Sequence, residues 1–404
     1  MIGYRYNQKI GSEDMTTEIR EIFFSLLRNA LSGRRMTDEE KTDIKEKISP
    51  EVLNDLFGLA DGQDLAHLIG YALINNALIG RGDEMYDRFY AAQFVAMCRY
   101  ENINNAFVQA ADRFESAQIE YLPLKGAVMR RYYPQPWMRT SCDIDVLVRP
   151  DDFESATDVL QNAGYEVIAH SSHDISFQVI GVHVELHYQL IEEKRLNKTF
   201  DILNTVWSHA SSTKGYNFEM SDEFFYFYHV AHMAKHFLSG GCGIRPFIDL
   251  WILNNRSEFN VDKCSTLLVD GGLKSFEKHA VRLCSVWFGG KPHDKITMAM
   301  ENFIFNGSLY GTWDNYVGVH NAVKNGKWGY FLSRLWLPYN NLSIKYPSLD
   351  GKRILTPAYQ VWRWIDALLH TRNKVCFELT KSNVISDDER QEMASMLTEL
   401  GIKK

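Results

Sequence analysis

The segment Cys142-Asp143-Ile144-Asp145-Val146-Leu147-Val148 sets two acids two residues apart at the head of an apolar, largely β-branched run. Such a run reads as a buried strand, and on a strand alternate side chains share a face. Asp143 and Asp145 therefore project to one side, while Ile144 and Val146 project into the core. A D-x-D pair also arises by chance on exposed strand faces. Here Val146, Leu147 and Val148 argue for burial, and two uncompensated acids at one end of a buried strand are costly. Like charges that close repel unless a cation lies between them. Mg²⁺ held by one or two carboxylates plus substrate phosphate oxygens is such a cation.

Arg139, just upstream, supplies a guanidinium able to neutralise a phosphate. Downstream, Val182-His183-Val184-Glu185-Leu186-His187 reads as a second strand whose odd positions share a face, which makes Glu185 available as a third acid. Two metal ions bridged by shared carboxylates, stabilising the attacking and leaving oxygens of a phosphoryl transfer, need about that set. His187 would border the substrate pocket, and it shares with Glu185 and Asp145 the candidacy for deprotonating an acceptor hydroxyl. His183, Glu185 and His187 on one face are also open to a transition-metal reading, against which stands the lack of a fourth ligand at clear spacing.

The hydrophobic period changes around these strands. From Met15 to about Glu115 the chain reads as successive amphipathic helices, as in Ile19, Ile22, Phe23, Leu26, Leu27 and Ala30, with breaks at Gly33, Ser49-Pro50 and Gly80-Arg81-Gly82. Between Ile119 and Leu190 the order is β-α-β-α-β-β-β. Strands are expected at 119–124, 143–148, 165–169, 175–179 and 182–190, and helices at 127–133 and 151–162. Lys125-Gly126 joins the first strand to the first helix. After Asn197 the helical texture returns and persists, with 221–239 its most regular segment.

On that segment His229, His232 and His236 form one stripe, with Lys235 beside it. Either these histidines are satisfied by hydrogen bonds at a domain interface, or the stripe faces the α/β core and offers His232 or Lys235 to a triphosphate or acceptor. Arg245 and Asp249, one helical turn apart, are expected to pair and fix helix packing. Trp313, Trp328, Trp336, Trp362 and Trp364 read as core filling.

A net charge of −7 over 404 residues creates no global field for a phosphate polymer, which favours a small acceptor over nucleic acid. Six cysteines without a C-x-x-C pair read as reduced core thiols of a cytoplasmic protein. No apolar leader follows Met1 and no run reaches spanning length, so no membrane association is expected.

Taken in order, Leu124-Lys125-Gly126, Tyr132 or Tyr133 with Pro134, Arg139, the 143–148 strand, Ala163-Gly164-Tyr165 and Glu185-Leu186-His187 form a pattern. His232, Arg245, Asp249, Leu337-Pro338 and Tyr346-Pro347 follow as later echoes. The set resembles the uncharacterised nucleotidyltransferases of the polymerase-β superfamily, related to sugar-phosphate-cluster and peptide-cluster enzymes of bacteria. The resemblance implies an α+β fold: a minimal nucleotidyltransferase mixed-sheet core, residues 106–200, between a helical N-terminal region, 1–105, and a mainly helical C-terminal domain, 201–404. It implies Mg²⁺-dependent transfer of a nucleoside monophosphate from an NTP, with ATP expected, to a small acceptor. Asp143, Asp145 and Glu185 would be catalytic and would hold two Mg²⁺, with Mn²⁺ as a substitute. Lys125, Gly126, Arg139, His187, His232 and Lys235 would face the nucleotide.

The chain departs from the superfamily in having Gly126-Ala127 where Gly-Ser is usual, and in a longer spacing from Gly126 to Asp143. Lys125 would replace the serine contact with charge. The same fold also accommodates a non-catalytic nucleotide- or partner-binding module, or toxin-like nucleotidylation of tRNA or protein.

Overall fold

A computed structural model describes residues 13–171, 173–191, 196–255 and 260–306, and then 319, 336–339, 342–343, 346–349, 351–370 and 387–402. Five helices come first: α1 (Glu13–Ser32), α2 (Asp38–Lys47), α3 (Pro50–Gly62), α4 (Ala66–Asn75) and α5 (Tyr86–Ala117). Their starts follow from local chemistry. Thr37 and Glu40 form a reciprocal capping box at α2, and Ser49 caps α3 ahead of a first-turn proline.

The mixed core follows, with β1 (Tyr121–Pro123), α6 (Lys125–Met129), β2 (Asp143–Val148), α7 (Phe153–Asn162), β3 (Glu166–His170), β4 (Asp174–Val179) and β5 (Val182–His187). After α8 (Asn197–Leu203) come β6 (Ala210–Lys214) and β7 (Asn217–Met220). The seven strands form one sheet in the order β3-β4-β5-β2-β1-β7-β6. β2 runs parallel to β5 and antiparallel to β1, and β1 meets β7 in parallel.

The β6–β7 hairpin corrects the reading of uninterrupted helix after Asn197. Its residues 211–214 are exposed and polar, so no alternation announces a strand, and pairing of β6 with β7, which in turn meets β1, defines it instead. Among the described residues, the further α-helices are α9 (Asp222–Leu238), α10 (Arg245–Asn254), α11 (Val261–Asp270), α12 (Lys274–Trp287), α13 (Lys295–Asn306), α14 (Thr356–His370) and α15 (Asp387–Glu399). Among the described residues no helix is long and apolar enough to cross a membrane.

The two sheet faces have different roles. Ile144, Val146 and Val148 of β2, Phe177 of β4 and Val184 and Leu186 of β5 pack with Ile103, Ala106, Ala110 and Phe114 of α5 and Ala156 and Leu160 of α7. Each large apolar side chain so buried contributes about 2 kcal/mol. The odd-numbered residues of β2 and β5 occupy the opposite face. A second core runs through α1, α3 and α4 into α9, α10 and α12, joining the N-terminal and C-terminal helices.

Register on the acidic face is set by the β4–β5 turn. Ile180 and Gly181 both have positive φ, 46° and 76°, which gives a two-residue turn matched to strand twist. It pairs Val179 with Val182 and so aligns Asp174 with His187 and Ser176 with Glu185.

Two side-chain expectations change. Cys242, Cys264 and Cys284 are buried, but Cys98 and Cys142 are exposed, because they fall on outward positions of α5 and of the turn into β2. Cys376 lies outside the described residues. Trp336 and Trp362 are exposed rather than core-filling, whereas Trp287 is buried among Phe24, Phe247 and Phe305. Trp313 and Trp328 lie outside the described residues.

Candidate active site

The parallel pairing of β2 with β5 sets Asp143 beside His183 and Asp145 beside Glu185. The strand period thus brings both aspartates and the glutamate together on the face turned away from the α5–α7 core. Lys125 reaches this cluster from the first residue of α6, where its φ of +39° lies in the left-handed region. That conformation costs a non-glycine residue about 1 kcal/mol. It aims the side chain at Asp145, with Nζ 2.7 Å from Oδ1.

His187 approaches Asp145 from β5, its Nε2 3.1 Å from the same Oδ1 and 3.4 Å from Glu185 Oε2. Burial alone would raise the pKa of Asp145, but Lys125 and the His187 hydrogen bond outweigh it and hold the carboxyl well below its ordinary value. Asp143 behaves oppositely. Burial and the neighbouring Asp145 charge push its pKa up, with Lys125 opposing and Glu185 reinforcing the shift. Burial would lower the pKa of His187, and its hydrogen bonds to Asp145 and Glu185 raise it instead.

Asp145, Glu185 and His187 offer ligand atoms within 4.8 Å of one another, a spacing that fits a metal ion. His183 stands apart from that group: its Nδ1 lies 3.8 Å from Glu185 Oε1, and the His183–Glu185–His187 grouping gives way to one that includes Asp145.

Gly126 is where backbone and side chains crowd. A Cβ there would sit 3.1 Å from Arg139 Nη1 and 3.4 Å from Ser141 Cβ. The Ala127 amide bonds Leu124 O, at 3.1 Å. Arg139 is turned to Asp249, with Nη2 2.8 Å from Oδ2 and Nε 3.4 Å from Oδ1, while the Tyr133 hydroxyl donates to Oδ1 at 2.7 Å. The expected Arg245–Asp249 pair is therefore not formed. Arg245 bonds Asp64, at 2.5 Å, and both Asp249 oxygens are already engaged by Arg139 and Tyr133.

The face of α9 lies over the carboxylates. Tyr228, two turns before His236, has a buried hydroxyl with no hydrogen-bond partner among the described residues. Burial pushes its pKa up, with Lys125 opposing, and it feels the charges of Asp145, Glu185 and Asp143. His232 and His236 touch through their Nε2 atoms at 3.1 Å. Burial, His236, Lys125 and Lys235 hold His232 far below its ordinary pKa, so it is neutral. His229 bonds Pro246 O at 2.9 Å, a packing role.

The stripe is thus split: His229 fixes α9 on α10, while Tyr228 and His232 face the cluster. Tyr228 was missed in sequence because an aromatic at helical spacing reads as core, although its position four residues before His232 was a usable signal.

With this arrangement in view, the matching family is that of uncharacterised nucleotidyltransferases, whose model aligns with residues 51–289, more than half of the 404-residue chain. The chain belongs to that family. No curated protein and no solved structure matches it. The matched span of this nucleotidyltransferase family member contains the whole seven-stranded sheet and α9 and α10.

Proposed function

We propose that the chain transfers a nucleoside monophosphate from an NTP, ATP being the first candidate, to a small acceptor with release of pyrophosphate. The observation that carries this reading is Asp143 and Asp145 on one strand face with Glu185 in register beside them. Asp143 supports a cation directly, since burial beside a second carboxylate leaves its ionised form undercompensated, and the Asp143, Asp145 and Glu185 oxygens suit Mg²⁺ or Mn²⁺. When bound, such ions would neutralise charge on the attacking and leaving oxygens.

The chain's own groups divide the remaining work. Lys125 keeps Asp145 ionised and presents an ammonium to the substrate side. The acceptor oxygen attacks the α-phosphorus, the bond to the β-phosphate oxygen breaks, and the acceptor proton passes to a base. Asp145, held well below its ordinary pKa, is a poor base, which leaves the role to Glu185 or His187. Arg139 acts by holding the segment before β2, being committed to Asp249. Tyr228, His232 and Lys235 line the α9 side. Arg139, Arg245 and Lys125 are all paired with acids, an arrangement that favours a small acceptor over tRNA.

Asp143→Asn combined with Asp145→Asn should lower Mg²⁺-dependent pyrophosphate release by at least about 1,000-fold. Wild-type turnover in the folded double variant would refute the assignment. One observation favours a second reading, a nucleotide-binding module without turnover: Lys125 Nζ already supplies Asp145 with a cation. Calorimetry with ATP, with and without Mg²⁺, separates the two, because binding without pyrophosphate release across many acceptors favours the module.

A further inference from the structure

We propose that His173, Asp174 and His187 form a site for a transition-metal ion of the Zn²⁺ class, distinct from the Asp143–Asp145 pair. The residues meet where β4 begins and β5 ends. Asp174 pairs with His187 across the antiparallel ladder, and Tyr188 N bonds His173 O at 3.1 Å, which extends that pairing by one step. All three are buried, with 7%, 8% and 4% of their surfaces exposed.

Their ligand atoms lie within 4.8 Å of one another. His173 Nε2 is 3.2 Å from Asp174 Oδ2, and His187 Nδ1 is 4.0 Å from the same oxygen. Tetrahedral Zn²⁺ with bonds near 2.0–2.1 Å separates its ligands by about 3.4 Å, so side-chain shifts under about 1 Å would close the site.

The orphaned atom is His187 Nδ1. It is buried with no hydrogen-bond partner among the described residues, a condition that costs free energy unless something occupies its lone pair. Its partner nitrogen explains the tautomer. In the neutral ring, Nε2–H donating to Asp145 puts the lone pair on Nδ1, turned toward Asp174, the arrangement of a metal-bound histidine steadied by a carboxylate.

Ser171 organises the other two ligands. Its Oγ donates to Asp174 Oδ2 at 2.7 Å and lies 3.0 Å from His173 Nδ1. The same oxygen accepts from the backbone N–H groups of His173 and Asp174, and a metal ion would replace any proton on His173 Nε2, which faces the carboxylate. Two imidazoles and one carboxylate suit Zn²⁺, Co²⁺ or Fe²⁺ better than Mg²⁺. The ion would hold His187, and through it Asp145. That consequence rests on the proposed nucleotidyl transfer, but metal binding itself does not.

The test uses Co²⁺ on the full chain after metal removal, read by equilibrium dialysis and visible absorption. The expected result is a strong band from low-coordinate Co²⁺ that Zn²⁺ displaces. His173→Ala and Asp174→Asn should each weaken Co²⁺ binding at least about tenfold, and Ser171→Ala by less. Asp143→Asn should keep the band. Should His173→Ala fail to give wild-type circular dichroism, His173→Gln replaces it.

Absence of the band overturns the site, as does its survival in the folded His173 and Asp174 variants. Its loss in Asp143→Asn would assign the ion to the D-x-D pair and overturn it equally. Mg²⁺-dependent turnover, measured in parallel, tests the nucleotidyl-transfer reading separately.

Discussion

Asp143 and Asp145 share a strand and a face, yet their environments push their proton affinities apart. Asp145 receives Lys125 and His187, whereas Asp143 receives mainly burial and repulsion. A carboxyl whose folded pKa is raised binds its proton more tightly in the folded state. It lowers stability as pH rises from its ordinary value through the raised one, and the full penalty is present above the raised value. Asp143→Asn should therefore stabilise the metal-free protein by about 1 kcal/mol, the usual scale for relieving functional strain. Mg²⁺ should raise the melting temperature of the wild type but not of the variant, since only the wild type binds it through this carboxylate. Thermal unfolding of both at pH 7 with and without Mg²⁺ decides the point. A variant less stable than the metal-free wild type would mean that Asp143 has a cationic partner already.

At the scale of elements, the segment between α6 and β2 is held from outside the sheet. Tyr133 and Arg139 both bond Asp249 of α10, which is fully buried. Asp249→Ala would leave the Arg139 guanidinium buried without its counter-charge, a loss of about 3–5 kcal/mol. Asp249→Asn, which keeps hydrogen-bonding capacity, should cost less. Urea unfolding measures both, and equal losses would show that charge is not what Arg139 needs there.

This tether also marks the limit of sequence reading. D-x-D and Glu185 were legible because strand period 2 is local, and α9 was legible from its 3.6-residue pattern. Arg139 and Asp249 are 110 residues apart, while the helical neighbour Arg245 offered a closer but unused partner. His173 and Asp174 were silent for the same reason, since only the β4–β5 register brings them to His187. The β6–β7 hairpin was silent because the exposed polar residues of β6 take their strand form from pairing with β7.

At the scale of the whole molecule, Asp64 ties the helical and α/β parts together. It follows α3 in a left-handed conformation, φ 53°, which asparagine tolerates equally. It bonds Arg99 of α5 at 3.1 and 3.2 Å, Arg245 of α10 at 2.5 Å and the Thr140 hydroxyl, just before β2, at 2.9 Å. Burial would raise its pKa, but Arg245 and Arg99 lower it. A depressed carboxyl contributes stability above its ordinary value, and the contribution is lost as pH falls through the folded value.

Asp64→Asn should accordingly destabilise the protein by about 2 kcal/mol at pH 7, a figure moderated by the site's partial exposure. The difference should stay constant down to about pH 4 and shrink below it, where the wild-type carboxyl becomes the neutral group that asparagine imitates. The shared core through α1, α4, α9 and α10 keeps unfolding cooperative, so one transition should persist in the variant. Urea unfolding at pH 7, 5 and 3 tests both statements. A difference unchanged at pH 3 would assign the effect to packing rather than charge, and two separated transitions would show that Asp64, not the apolar core, holds the helical and α/β parts in one unit.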